Sequence, residues 1–89
     1  DKVEKLSNIL NETIWVYWEK NIQYKFKNGK DLWITSNGIV HYNYSLDYKD
    51  NNFSITFSPD GDQYIVEILS ESTLRFSNER ESFEIGLKN

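Results

Sequence analysis

The chain has 89 residues, no Cys, three Trp, six Tyr, five Phe and a formal net charge of -4. That length reads as one domain with a thin stability margin. With no thiol to form a disulfide or a thiolate metal site, large aromatic side chains must build the core. The acidic balance weighs against a nucleic-acid partner, which needs a Lys/Arg surplus to neutralise phosphates, and no apolar run approaches the roughly 20 residues of a membrane-spanning helix.

Residues 1–11 read as a short helix. Val3, Leu6 and Leu10, with Ile9 beside them, form one apolar stripe. Asp1 and Glu4 stand in the first turn, where the helix dipole favours acids, and Asn11 is a reasonable stop. The stripe is expected to dock on the sheet that follows. From Thr13 the apolar period changes to two, and strands are predicted over 13–19, 21–27, 30–36, 39–46, 53–57, 63–69, 73–77 and 82–87. Turn-rich stretches separate them at 47–52 and 58–62, the second holding Pro59, the sole proline.

Asn28-Gly29 and Asn37-Gly38 are strong hairpin signals. A plain two-residue turn at Asn28-Gly29 would set Tyr24 against Trp33 and mix the two faces, since a one-residue slip inverts every side chain. A three-residue loop over Lys27-Asn28-Gly29, ending in a left-handed glycine bulge, pairs Ile22 with Ile34 and Tyr24 with Leu32. The same loop at Ser36-Asn37-Gly38 pairs Ile34 with Val40 and Leu32 with Tyr42. Continuing the alternation sets Leu46, Tyr44 and Tyr42 against Phe53, Ile55 and Phe57, and these against Ile68, Val66 and Tyr64. Val66 and Ile68 then face Phe76 and Leu74, which face Phe83 and Ile85. One face of the sheet is apolar from Ile22 to Leu87 and the other is mostly polar. A sheet of about eight strands with one greasy face solves its exposure by curling. The expected fold is therefore all-β, an up-and-down antiparallel meander closing into a small barrel, with the N-terminal helix attached.

The pattern resembles the small lipocalin-like domains of bacterial exported proteins and lipoproteins. Three stretches carry the resemblance: the helix leading into a Trp-bearing strand, Leu10-Asn11-Glu12-Thr13-Ile14-Trp15; the hairpin Phe26-Lys27-Asn28-Gly29; and the strand, Leu69-Ser70 turn and Leu74-Arg75-Phe76 strand that run from Tyr64 to Phe76. Thr13 stands where lipocalins proper carry Gly, and the chain is shorter than a full lipocalin. Short strands lined by Tyr, Phe and Trp are expected to fill the barrel rather than leave a roomy cavity. The resemblance implies a single domain over 1–89, placed outside the cytoplasm as a secreted, periplasmic or lipoprotein-anchored unit. The chain holds no Met, a pattern expected of a processed or trimmed product.

His41 is the only histidine and falls on the polar face opposite Trp33. A lone His without Cys or convergent acids is a poor metal site, so no metal and no cofactor are expected. The acids of Asp47, Asp50, Asp60 and Asp62 lack the ligand pattern of a calcium loop, and turn chemistry accounts for them. Glu67 and Glu84 lie on the polar face with nothing to single them out as a hydrolytic pair. No phosphate loop or nucleophile elbow is present, so the chain is not expected to be an enzyme. The residues that stand out are aromatic. Trp15 and Tyr17 alternate with Ile14, Val16 and Trp18, making the first strand apolar on both faces, one of which the helix is expected to cover. Trp33 beside His41 has no obvious cover, so it is either exposed, as a Trp at an interaction surface is, or lies under the helix or a loop.

Trp33, His41, Trp15 and Tyr17 are therefore the candidate binding residues, with a sugar or peptide stacking on Trp33 as the sharpest expectation. The sequence reads as a non-enzymatic binding or interaction domain. Two alternatives stand beside it: an acidic inhibitor or immunity protein that blocks a basic enzyme, and a carrier of a small apolar ligand. A monomer and a dimer paired through the exposed last strand are both expected states.

Overall fold

The computed structural model describes residues 1–11 and 13–88. A helix, α1 (Lys2–Leu10), precedes eight strands: β1 (Ile14–Tyr17), β2 (Ile22–Lys27), β3 (Asp31–Thr35), β4 (Ile39–Lys49), β5 (Asn52–Ser58), β6 (Gln63–Ser70), β7 (Thr73–Ser77) and β8 (Ser82–Leu87). Each strand pairs antiparallel with the next, and β8 returns to β1 through Trp15–Leu87 and Val16–Gly86, closing the barrel. The expected meander and its closure are both present. Closure also pairs the last strand on both sides, so β8 does not offer the free edge through which a dimer was expected to form.

α1 begins where Asp1 Oδ1 accepts the backbone N–H of Glu4 at 2.8 Å, and it ends at Asn11, whose extended backbone breaks the helical repeat. Leu6 and Leu10 are fully buried in the same core as Trp15, Phe26, Leu32, Tyr44, Ile55, Leu74, Phe76 and Ile85. Of the two apolar faces of the first strand, the helix therefore packs on the inner one, in the cluster that holds Trp15. It plugs one end of the barrel. Ser7 lies beside Gly29 of the β2–β3 turn, and Lys2 sits 5.2 Å above the ring of Tyr48 near the β4–β5 turn. On β1, Val16 points outward yet is buried. Trp18, two residues on and on the same face, folds over Gly86, the cross-strand neighbour of Val16, where a Cβ would meet the indole nitrogen at 2.7 Å.

The register follows the predicted pairing at Ile34–Val40, Leu32–Tyr42, Val66–Phe76, Ile68–Leu74, Phe76–Phe83 and Leu74–Ile85. At three ladders it shifts by two residues, which keeps every face but changes partners. Tyr24 pairs with Ile34 and Phe26 with Leu32, because the three-residue loop is Asn28-Gly29-Lys30 rather than Lys27-Asn28-Gly29. Asn28 and Gly29 both take positive φ, 59° and 70°, as a primed hairpin turn requires, and Lys30 N–H donates to Lys27 C=O at 3.2 Å. The second loop, Ser36-Asn37-Gly38, has the predicted length, yet Gly38 is not left-handed.

β4 runs on through Lys49 instead of ending at Leu46, so Leu46 pairs with Ile55 and Tyr44 with Phe57, and Asp50 and Asn51 alone make the turn, at φ 54° and 64°. Asp47 and Lys49 look like loop residues because they lie on the exposed face, while Tyr48 between them packs 4.8 Å from Phe53. The same shift carries into β5–β6, where Phe53 pairs with Val66 and Ile55 with Tyr64. Val40 and Ile68 share the inner parity but lie near barrel rims, where they are 50% and 40% exposed.

Candidate functional site

The hairpins at 18–21, 36–38, 59–62 and 78–81 gather at the end of the barrel opposite the helix. The inward side chains toward that end include six aromatics, Tyr17, Tyr24, Tyr42, Phe57, Tyr64 and Phe83, from six of the eight strands, with Ile22 and Ile34 between them. They touch in sequence around the rim. Tyr42 meets Phe57 at 6.5 Å between centroids, Phe57 meets Tyr64 at 5.6 Å, and Tyr64 meets Phe83 edge-on at 5.7 Å. Phe83 in turn meets Tyr17 at 5.3 Å and Tyr24 at 6.3 Å. This girdle encloses an open cleft of about 240 Å³. Below it the barrel is filled, as expected from its aromatic strands, by Phe26, Leu32, Ile55, Leu74 and Phe76, none of them exposed.

Polar groups stand at the rim. Tyr64 donates its hydroxyl to Glu81 at 2.7 Å, and Tyr17 donates to Glu19 at 3.1 Å. Asp60, Asp62 and Lys20 also line the cleft, and Arg80 pairs with Asp62 at 2.9 Å. Burial pushes the Tyr24 phenol up to about 12, with the charge of Glu81 and the neighbouring Tyr17 adding to it. Tyr64 is held well above the ordinary phenol range by burial first, then by its hydrogen bond to Glu81 and the charges of Glu81 and Asp62. Tyr17 shifts upward mainly through its bond to Glu19. A phenol that donates to a carboxylate keeps its proton, so the girdle presents neutral rings beside the rim carboxylates.

The four residues singled out in the sequence divide between the two sides of the sheet. Trp33 and His41 are outside. They oppose each other across β3 and β4 and stack at 4.3 Å with their planes 27° apart, and His41 Nε2 lies 3.1 Å from Asp31 Oδ1. Trp33 is 40% exposed and, with Ile14, Lys25, Lys27 and Ile39, lines a shallow outer groove of about 280 Å³. Neither the helix nor a loop covers it. Trp15 and Tyr17 are inside. Trp15 is 1% exposed and belongs to the packed centre, with its Nε1 lacking a hydrogen-bond partner, so it offers no surface to a ligand. Tyr17, one inward step further along β1, reaches the girdle.

Sequence reasoning missed Tyr24, Tyr42, Tyr64, Phe57, Phe83 and Glu81 as site residues. The alternation puts all five aromatics on the inner face, and Asp60 and Asp62 read as loop acids. The signal that joins them is that each aromatic is the first or second inward residue from an odd-numbered hairpin, counted in chain order. Among the described residues, no group of three or more His, Asp or Glu side chains converges as a metal site would, and no helix is long and apolar enough to cross a membrane. No protein-family model, curated protein or solved structure matches the chain. The geometry of the barrel and its two surfaces is therefore what any functional reading must rest on.

Proposed function

We propose that the protein is a non-enzymatic binding domain of lipocalin-like type, exported as the small bacterial lipocalin-like domains are, with the open mouth of its barrel as the binding site. The observation that carries this reading is the asymmetry of the two ends: α1 seals one with Leu6 and Leu10, while the other opens onto an aromatic girdle around a 240 Å³ cleft. Ligand sites are concave, mostly apolar and provided with a few polar groups, and the mouth has each property. Aromatic side chains left partly open to water at a concave rim gain free energy when a ligand covers them. The site supports binding rather than chemistry because its ionisable groups are phenols held protonated, carboxylates at the rim and the exposed Lys20, with no nucleophile placed beside a base among the described residues.

A second reading, the acidic inhibitor of a basic enzyme, draws on a separate observation. Glu19, Asp60, Asp62 and Glu81 all stand at this one end of the molecule. Amide chemical-shift mapping against a panel of cationic, neutral and anionic fragments tests the site. Shifts are expected to cluster at 17–24, 57–64 and 81–83. Shifts confined to the outer groove around Trp33 would move the binding site to that face, and a flat response across the panel would remove the small-ligand reading.

A further inference from the structure

The mouth combines rings and charge in a way that selects for one kind of ligand. We propose, resting on the mouth being the binding site, that it accepts a cationic group with an apolar surround, an alkylammonium or guanidinium, against its tyrosine rings and beside Glu81. Ring faces are the negative pole of the aromatic quadrupole and attract a cation within about 6 Å of the centroid. Of the six rings of the girdle, Tyr17, Tyr42, Phe57 and Phe83 are partly open, and Tyr24 and Tyr64 are buried behind them.

The carboxylates at the rim are of two kinds. Asp62 is paired with Arg80 at 2.9 Å, so its charge is already answered. Glu81 is held at the cleft by a hydrogen bond from Tyr64, a neutral donor that orients the carboxylate without cancelling its charge. Tyr17 does the same for Glu19. Neither Glu81, Glu19 nor Asp60 forms an ion pair among the described residues. Lys20 is the one cation lining the cleft itself, and it is exposed at the end of a flexible stem, while Arg80, bound to Asp62, is near enough for its charge to act on Glu81 and Tyr64.

The aromatic and acidic character continues past the rim. A shallow groove of about 380 Å³ on the outside shares Tyr17 and Phe83 with the mouth and adds Trp18, Glu19 and Glu84. Arg75 holds Glu84 at 3.0 Å, which leaves Glu19 beside Trp18 as the open charge there. Trp18 is 65% exposed. An anionic ligand would meet unpaired carboxylates on both sides of the rim. A neutral apolar ligand would leave them partly desolvated and unpaired, at a cost. A cation meets both the rings and the charges.

The same chemistry can come from a free amine or from a Lys or Arg side chain of a basic partner protein. Both sources are tested by NMR titration of the intact chain, with choline, its uncharged carbon isostere 3,3-dimethylbutan-1-ol and the peptide acetyl-Gly-Lys-Gly-amide as probes. Choline is expected to give saturable shifts at Tyr17, Tyr24, Tyr64 and Phe83, and the isostere a response roughly three- to tenfold weaker. Glu81→Gln, which keeps the shape and the contact to Tyr64, should weaken choline by about the same factor, and Lys20→Gln should strengthen it. Tighter binding of the peptide than of choline would support the proposal and assign the cation to a partner protein. Equal binding of choline and its isostere, or indifference to both substitutions, would overturn the cation preference while leaving the mouth as an apolar site. Silence of the mouth toward all three probes would overturn the proposal and the mouth reading together.

Discussion

At the scale of single residues, the mouth tyrosines link structure to an observable. Burial in the fold favours the neutral phenol of Tyr24, whose ionisation is pushed up to about 12, and Tyr64 shifts in the same direction for the same leading reason. In the unfolded chain both return to the usual value near 10. A group whose pKa is raised by folding lends stability in full below its unfolded value and loses it as pH rises through the folded one. Stability is therefore expected to hold to about pH 10 and then fall toward pH 12, by about 1.4 kcal/mol per pH unit for each phenol that only the fold keeps protonated. Denaturant titrations across that window test the slope. Alkaline difference absorbance tests its origin, since fewer than all six tyrosines should ionise near pH 10 in the native state. Simultaneous ionisation of all six with the fold intact would sink the account. In Glu81→Gln the neighbouring charge is gone, so Tyr64 should ionise at lower pH than in the parent.

Among the elements, the two Asn-Gly pairs show how one sequence signal can serve two conformations. Gly29 sits at φ 70°, where a Cβ is strained, and a Cβ there would also contact Ser7 of α1 at 3.6 Å. Gly38 has no positive φ and open space around it. Gly29→Ala should therefore cost about 1 kcal/mol, and Gly38→Ala should be close to neutral or slightly stabilising, as the unfolded chain loses freedom. Equilibrium denaturation of the two variants side by side decides this. Equal losses would mean that both turns demand the left-handed conformation. The difference was not legible beforehand because local sequence sets the turn's length, whereas the twist and pairing of the flanking strands select its dihedral angles.

For the whole molecule, the consequence of the helix plug is cooperativity. Leu6 and Leu10 are fully buried in one cluster with residues from around the barrel. Leu10→Ala should then cost about 2–4 kcal/mol. In a domain this small that lowers the thermal midpoint by roughly 10 °C or more while keeping a single transition. Scanning calorimetry reads both. A separate low-temperature transition for the helix, or an unchanged midpoint, would show that α1 merely rests on the barrel. The plug also gives the molecule its polarity, since sealing one end leaves the opposite girdle as the route by which a ligand meets the inner face.

Much of this architecture was present in the order of side chains. Alternation with period two fixed which residues face inward, and it survived register shifts at β2–β3, β4–β5 and β5–β6 because each shift was of two residues, which changes partners but not faces. The span of the helix along the chain followed from its apolar stripe at Leu6 and Leu10 and its acidic first turn. The outer pair Trp33 and His41 followed from local register alone, since only one tight hairpin separates them. What the linear chain could not determine was which residues meet across the barrel. Tyr17 reaches Phe83 only because β8 returns to β1, and Tyr64 reaches Glu81 only because two hairpins far apart in sequence share one end. Periodicity is a local property carried by each strand separately. Closure and the docking of α1 depend on the summed burial of all eight strands, and these convert scattered aromatics and loop acids into a single mouth.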